Sequence, residues 1–342
     1  YFFFIANLGN CEEIKDHRNW KLIPTKNCGK AKLSNRIVGG EVAALGQFPW
    51  ISRLAYVSSS GKEIEFNCAG SLINELFVVT AAHCLKTRMR KRLRFIRLGE
   101  NYLKEKVDCD DDGICAPLPQ DIEVNKIIIH EKFNFFTFQN DIALISLKRK
   151  AKFNGFVQPI CLPQESLLYK NFTLTGNVEV AGWGETESWD AWKSYYSSRL
   201  KYVALPIQDI EKCNRISNIK LLDESQYCVG EGGGKDSCTG DSGGPMMKII
   251  ALNAPPKYFL FGVVSQGTTI CGQEPGIYTK LEEEANNLSD VNNYDSDDSF
   301  NDPNYNKDEE GCEKKTIENT VMKRVLMDIV MMRRIKRILM GL

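Results

Sequence analysis

The chain has 342 residues, with 44 basic side chains balanced by 44 acidic ones, so its charge gives no reason to expect a nucleic-acid partner. Its 12 cysteines favour disulfides over a metal site, because no CxxC pair is present and only His17, His83 and His130 could add nitrogen ligands. Disulfides form in oxidising compartments, so we expect a secreted, extracellular protein.

The first ten residues, YFFFIANLGN, are apolar but too short to span a membrane, and they lack the flanks of a complete signal peptide. We interpret them as the remnant of a signal peptide or as part of a truncated upstream module. No later stretch reaches transmembrane length without charges, so a membrane is not an expected partner.

From Ile37 to about Lys280 the sequence consists of short β-branched or aromatic runs separated by Gly, Pro, Asn and Asp. Such runs predict β-strands; they are FVVTAA, RFIRLG, NKIIIH, DIALISL, NVEVAGWG, KYVALPI and FLFGVVS. This region is therefore predicted to be all-β. The strands fit either two packed barrels or one large sandwich.

After Lys280 the composition changes abruptly. Residues 282–315 are rich in Asp, Glu and Asn, a composition that buries little, so we expect a disordered acidic segment. Residues 316–342 have apolar side chains at steps of three and four, which predicts a basic amphipathic helix. Such a helix binds a membrane surface or a partner, or else covers the apolar flank of the preceding domain.

The stretch GDSGGP, residues 240–245, places Ser242 between an acid and two glycines. Its residues are those that surface turns select, so a simple turn is the alternative to a catalytic nucleophile. A serine nucleophile needs a neighbouring imidazole base that is oriented by a buried carboxylate. The best candidates are His83 in VVTAAHC and Asp141 at the head of NDIALISL, since His17 lies in a charged linker and His130 closes a strand.

TAAHC, NDIALISL and GDSGGP in this order resemble the trypsin-like, or chymotrypsin-family, serine proteases. The resemblance implies a domain of two packed antiparallel Greek-key β-barrels over residues 37–281. It also implies that His83 is the base, Asp141 its orienting acid and Ser242 the nucleophile. The backbone N–H groups of Gly240 and Ser242 would form the oxyanion hole.

RIVGG, residues 36–40, resembles the activation site of the family's inactive precursors. Cleavage after Arg36 would free the α-amino group of Ile37. The resulting ammonium would pair with Asp241 and order the oxyanion hole, because a buried carboxylate without a partner is unfavourable. The uncut chain is therefore predicted to be largely inactive.

The resemblance also assigns the pocket for the substrate residue before the scissile bond. Asp236 would lie at its floor, with Gly267 and Gly276 keeping its walls open. A carboxylate at the bottom of an apolar slot selects Arg or Lys. One departure is Gln266, which stands where the family usually has an aromatic residue, so binding of the preceding substrate residues is expected to be altered.

By the same resemblance five disulfides are expected: Cys68–Cys84, Cys213–Cys228, Cys238–Cys271, Cys28–Cys161 and Cys109–Cys115. The last bridge, around DDDGI, looks like that of arthropod clip-domain proteases of proteolytic cascades. Since only Cys11 lies upstream of Cys28, residues 1–36 are interpreted as a pro-segment or linker with a truncated or missing clip domain. Cys11 and Cys312 have no assigned partners.

Two further features concern glycosylation and metal binding. Asn171 and Asn287 lie in N-x-[ST] sequons and are candidate glycosylation sites. The acidic residues beginning at Glu100 form either a calcium site or a solvated loop, and no other cofactor or metal is expected.

Two functional hypotheses follow. The first is a secreted, trypsin-like endopeptidase made as a zymogen. Its partners would be protein substrates with Arg or Lys before the scissile bond, an upstream activating protease and serine protease inhibitors. The second is a catalytically silent homologue that acts as a binding or cofactor protein. Because the triad motifs are intact, we favour the enzyme.

Overall fold

The protein is described by a computed structural model, in which one compact unit extends from Ile23 to Leu281. The residues described are 24, 26–31, 41–58, 61, 63–86, 91–163, 174–186, 195–216, 225–232, 236–251, 255–267 and 271–281. The acidic segment 282–315 and the predicted helix 316–342 lie outside the described residues, as do the activation residues Arg36 and Ile37.

The first half of this unit is a closed barrel of six antiparallel strands. They are β2 (Ile51–Val57), β3 (Ile64–Asn74), β4 (Phe77–Thr80), β5 (Arg92–Leu98), β6 (Gln120–Ile129) and β7 (Ala143–Leu147), in the order β2-β3-β4-β7-β6-β5. Every residue of β4 and β7 is buried, as their continuous apolar sequences predict.

The second half also closes into a barrel of six antiparallel strands, because β8 pairs with both β11 and β13. They are β8 (Asn177–Gly182), β11 (Lys201–Gln208), β12 (Gln226–Val229), β13 (Pro245–Ile250), β14 (Lys257–Gln266) and β15 (Gly276–Lys280). Their inward side chains form one apolar core, which includes Val180, Leu205, Phe261 and Tyr278.

Four small elements complete the described structure. Strand β1 (Glu41–Val42) pairs with β11, and β9 (Glu185–Thr186) pairs with β10 (Tyr195–Tyr196). A short helix, α1 (Ile210–Ile216), precedes β12. The prediction of an all-β fold with two antiparallel barrels is confirmed, and the single-sandwich alternative is wrong because each sheet closes on itself.

The register of two strands positions the first candidate residues. Thr80, the last residue of β4, pairs with Ala143, the first residue of β7. His83 follows β4 by three residues and Asp141 precedes β7 by two, so antiparallel pairing brings both to the same end of the barrel.

Five disulfides brace the described structure. They join the pairs that the resemblance implies: Cys28–Cys161, Cys68–Cys84, Cys109–Cys115, Cys213–Cys228 and Cys238–Cys271. Cys11 and Cys312 lie outside the described residues. Within those residues, no helix has the length and apolar character that crossing a bilayer requires.

Candidate active site

The His83 imidazole is held by a buried carboxylate. Asp141 is fully buried, and its Oδ2 lies 2.6 Å from His83 Nδ1 while its Oδ1 accepts the His83 backbone N–H at 2.8 Å. A carboxylate on Nδ1 favours the tautomer that carries its proton there. The other ring nitrogen, Nε2, is then free to accept a proton.

The second barrel supplies a further hydrogen bond to the same carboxylate. Ser265 Oγ donates to Asp141 Oδ2 at 2.5 Å, and the Thr279 hydroxyl donates to the Asp141 backbone oxygen at 3.1 Å. The pairing of β14 with β15 is irregular between Val264 and Gln266, so Ser265 is an extra residue in its strand. Such bulges re-aim side chains, which explains why this hydroxyl reaches Asp141.

Ser242 lies in a tight turn before β13 that is bonded to both barrels. Its carbonyl oxygen accepts the Ala69 N–H at 2.8 Å, and the next N–H, of Gly243, donates to Val264 at 2.8 Å. The Cys84 sulfur lies 3.6 Å from the Ser242 carbonyl oxygen and 3.8 Å from His83 Nε2. The Ser242 backbone and the imidazole therefore lie close to the same disulfide, Cys68–Cys84.

The turn around Ser242 depends on glycine. Gly240 has a φ of 103° and Gly243 a φ of 80°, values that strain residues with a side chain. A Cβ on Gly243 would also overlap the Thr80 hydroxyl. Among the residues that the structure describes, no acceptor receives the N–H of Gly240 or of Ser242. Both donors are therefore available to a ligand beside the serine.

Asp241 points into the protein, away from Ser242. Its Oδ1 accepts the Gly184 N–H at 2.7 Å and its Oδ2 accepts the Cys238 N–H at 3.0 Å. Burial raises the pKa of this carboxyl to about 6, against the opposing effect of the two backbone donors. A Cβ on Gly182 or Gly184 would lie 2.6 Å from the carboxyl carbon, so both positions require glycine.

Asp236 stands six residues before Ser242 and lies beside Gly276. Its Oδ1 accepts the Ser237 N–H at 2.7 Å, while its buried Oδ2 accepts no hydrogen bond from the described part of the chain. Burial raises the pKa of Asp236 to about 7, against the backbone N–H groups of Ser237 and Gly272. A Cβ on Gly276 would lie 3.2 Å from Asp236 Oδ1, whereas Gly267 faces open space.

Gln266 ends β14 between Ser265 and Gly267, and its side chain is half-buried. Its backbone oxygen lies 3.6 Å from where a Gly276 Cβ would be. Its Oε1 is buried without a hydrogen-bond donor among the described residues. The departure from an aromatic residue thus introduces a buried polar side chain directly before Gly267.

Neither candidate metal position fits a cation well. Cys68, His83 and Cys84 bring ligand atoms within 4.8 Å of one another, but the two cysteines form a disulfide and offer no thiolate. The buried Glu100 accepts a hydrogen bond from Arg97 at 3.3 Å, so calcium would compete with a guanidinium there. The calcium site near Glu100 stays a prediction.

Comparison with known proteins identifies the group to which these features belong. A sequence model of trypsin matches residues 37–288. The chain belongs to the trypsin family. The trypsin-like chain is 39% identical to the Spaetzle-processing enzyme of Drosophila melanogaster over 261 residues, which cover 72% of this chain and 64% of that enzyme.

Other relatives of this trypsin-family chain carry the clip-domain name. The CLIP domain-containing serine protease B4 of Anopheles gambiae is 35% identical, over 80% of this chain and 74% of that protein. The crystal structure of the Drosophila Grass clip serine protease of the Toll pathway superposes with a TM-score of 0.67 at 35% identity, covering 78% of this chain and 75% of that one. The recognition of a trypsin-like serine endopeptidase that resembles arthropod clip-domain proteases is confirmed.

The structure adds residues that the sequence motifs do not reveal. Ser265, Gly182 and Gly184 contact the candidate acids directly, and the Phe138 ring meets the His83 ring edge-on at 5.6 Å. Phe138 has a φ of 55°, which is unusual for a bulky residue. The segments SQG and NVEVAGWG were visible in the sequence, but these contacts depend on the folded chain. The sequons at Asn171 and Asn287 lie outside the described residues.

Proposed function

We propose that this chain is a secreted endopeptidase that is made as a zymogen and cuts proteins after Arg or Lys. The observation that carries the proposal is the arrangement of Asp141, His83 and Ser242. A fully buried carboxylate fixes Nδ1 of the imidazole, and the Cys84 sulfur lies 3.8 Å from Nε2 and 3.6 Å from the Ser242 carbonyl oxygen, so the base and the serine flank the same disulfide. Acyl transfer by a serine hydroxyl requires such a base and such an orienting acid.

The proposed reaction begins when His83 Nε2 accepts the Ser242 hydroxyl proton and Ser242 Oγ attacks the scissile carbonyl carbon. Negative charge develops on the carbonyl oxygen, where the N–H groups of Gly240 and Ser242 stabilise it. Asp141 stabilises the imidazolium, and Ser265 helps to hold that acid. The imidazolium then protonates the leaving amine, and water releases the acyl group by the same steps.

The proposed specificity rests on Asp236. Its Oδ2 is buried, and none of the described residues donates a hydrogen bond to it, so one carboxylate oxygen at the floor of the pocket lacks a donor. An Arg guanidinium or Lys ammonium would supply that donor and a positive charge. The charge would also favour the ionised form of Asp236, which burial alone disfavours.

The proposed activation step rests on the buried carboxylate of Asp241. Two backbone donors bind this buried carboxyl, yet burial still raises its pKa to about 6. Cleavage after Arg36 would provide the Ile37 ammonium as a counter-charge beside the oxyanion hole. A buried acid that gains a partner on cleavage provides a physical switch between inactive and active forms.

The five disulfides support secretion, since such bridges persist in oxidising compartments. Relatives named as a Spaetzle-processing enzyme and a protease of the Toll pathway support a place in a proteolytic cascade. The proposed partners are therefore protein substrates, an upstream activating protease and serine protease inhibitors. Residues 1–36 would remain tied to the protease domain through Cys28–Cys161.

The test is hydrolysis of small peptide amides that end in Arg, Lys or Leu, measured before and after cleavage at Arg36. Activity on Arg and Lys that appears only after cleavage and disappears in Ser242→Ala supports the proposal. Asp236→Ser should remove the preference for basic residues while the protein stays folded. A folded, cleaved wild type that hydrolyses none of the peptides would favour a silent homologue that acts as a binding or cofactor protein.

A further inference from the structure

The loop between β5 and β6 bonds directly to a residue of the second barrel. Trp183, which follows β8, is buried, and its indole N–H donates to the Asn101 backbone oxygen at 3.0 Å. The same oxygen accepts the Leu200 N–H at 2.9 Å. The position of the Asn101 carbonyl group therefore helps to fix the Trp183 ring.

A buried acid holds this carbonyl group in place. Asp108 is 4% exposed, and its Oδ2 accepts the backbone N–H groups of Asn101 at 2.8 Å and of Tyr102 at 3.2 Å. The Asp108 backbone oxygen accepts the Ala116 N–H at 2.7 Å, which closes the loop around Cys109–Cys115. Since hydrogen bonds to a carboxylate are stronger than neutral ones, Asp108 fixes the turn at residues 101 and 102.

Trp183 is also held from the first barrel. The Arg53 guanidinium lies 5.6 Å from the centre of its ring, within the range of a cation–π interaction. The residue after Trp183 is Gly184, whose N–H donates to Asp241 at 2.7 Å. The indole is thus held by Asn101 and by Arg53, and the next residue in the chain, Gly184, donates the hydrogen bond that orients Asp241.

We infer that Asp108 is a positioning residue that acts on the oxyanion hole through Asn101, Trp183 and Gly184. Asp108 fixes the Asn101 carbonyl group, that group fixes Trp183, and Trp183 sets the direction of the Gly184 N–H toward Asp241. Asp241 separates Gly240 from Ser242, so its orientation sets the two donors of the hole. The effect on catalysis rests on the proposed function, whereas the effect on the Gly184 hydrogen bond does not.

The experiment compares Asp108→Ala with Asp108→Asn, which keeps one acceptor oxygen, and with Trp183→Phe, which keeps an aromatic ring of smaller size and removes the N–H. Asp111→Asn is the matched control, because Asp111 is exposed in the same loop. Three quantities are measured for each full-length variant. They are kcat and KM on an Arg amide after cleavage at Arg36, and hydrogen exchange of the Gly184 amide before cleavage.

We expect Asp108→Ala to lower kcat about tenfold, the effect of about 1.4 kcal/mol on the barrier, with KM little changed. Exchange of the Gly184 amide should accelerate while exchange in β4 and β7 stays as in the control. Asp108→Asn should recover most of both losses. Adding Trp183→Phe to Asp108→Ala should cost little more, because the two residues act in series.

Three results would overturn the inference. The first is that the exchange rate of the Gly184 amide and kcat in Asp108→Ala stay within twofold of their values in Asp111→Asn. The second is faster exchange throughout the barrels, which would mark a general loss of stability. The third is full additivity of the Asp108 and Trp183 substitutions. If Asp108→Ala does not fold, the exchange of the Gly184 amide is measured in Asp108→Asn and Trp183→Phe instead. An inactive wild type would count against the proposed function, while the exchange result would still decide this inference.

Discussion

Gly184→Ala isolates the contribution of the Asp241 orientation to activity. The added Cβ would lie 2.6 Å from the Asp241 carboxyl carbon, closer than real Cβ contacts, so the carboxylate must move away from the Gly184 N–H. The hydrogen bond lost is 2.7 Å long and buried, and hydrogen bonds to charged groups contribute about 1.5–3 kcal/mol. If this energy orders the oxyanion hole, kcat should fall between about tenfold and a hundredfold.

The assay is steady-state hydrolysis of an Arg amide by the Arg36-cleaved variant, with titration of active sites to count competent molecules. Gly155→Ala is the matched control, because a Cβ there meets no atom within 4 Å and the backbone φ is ordinary. A kcat for Gly184→Ala within twofold of that for Gly155→Ala would contradict a role of this hydrogen bond in activity. It would show that Asp241 holds its orientation without this donor.

Three further predictions concern separate parts of the site. Ser265→Ala should lower kcat about tenfold or more, since it removes a hydrogen bond to the charged Asp141. Binding of a small amidinium inhibitor should weaken about tenfold per pH unit below about 7, because Asp236, whose pKa burial raises to about 7, becomes protonated and neutral. A disulfide lowers the entropy of the unfolded chain more when it closes a longer loop. Loss of Cys28–Cys161, which spans 133 residues, should therefore lower the free energy of unfolding of the uncut chain by about 5 kcal/mol. Loss of Cys109–Cys115, which spans 6 residues, should lower it by about 2 kcal/mol. Steady-state kinetics checks the first prediction and calorimetric titration across pH checks the second. Urea unfolding of variants in which both cysteines of a bridge are replaced by Ala checks the third. An unchanged kcat in Ser265→Ala would contradict the first prediction. Inhibitor affinity that does not vary with pH, in the wild type as in Asp236→Ser, would contradict the second, and equal losses of stability for the two disulfides would contradict the third.

The barrels were predictable because their strands carry local signals. The apolar runs FVVT and ALISL are buried along their whole length as β4 and β7, and their boundaries place His83 and Asp141 at one end of the first barrel. Closure of each sheet was not readable from the runs, since strand pairing between distant segments depends on tertiary contacts. The resemblance, and not strand counting, supplied the choice of two barrels.

The residues that hold Asp141 and Asp241 in place could not be predicted from local sequence patterns. Ser265 reaches Asp141 only because a bulge adds one residue to β14, a feature that no local pattern marks. Gly184 bonds Asp241 across 57 positions of sequence, and its neighbour Trp183 bonds Asn101 across 82. Motifs thus identify groups with chemistry of their own, while groups that act through others become visible only in the fold.

In the proposed function, Ser242 is a nucleophile activated by His83. The most direct measurement is reaction of the Arg36-cleaved protein with a fluorophosphonate, followed by mass spectrometry to locate the adduct. We expect one phosphonylated residue, Ser242, and labelling that is lost in His83→Ala although the protein stays folded. Absence of the adduct from the folded, cleaved wild type, or equal labelling of His83→Ala, would contradict it.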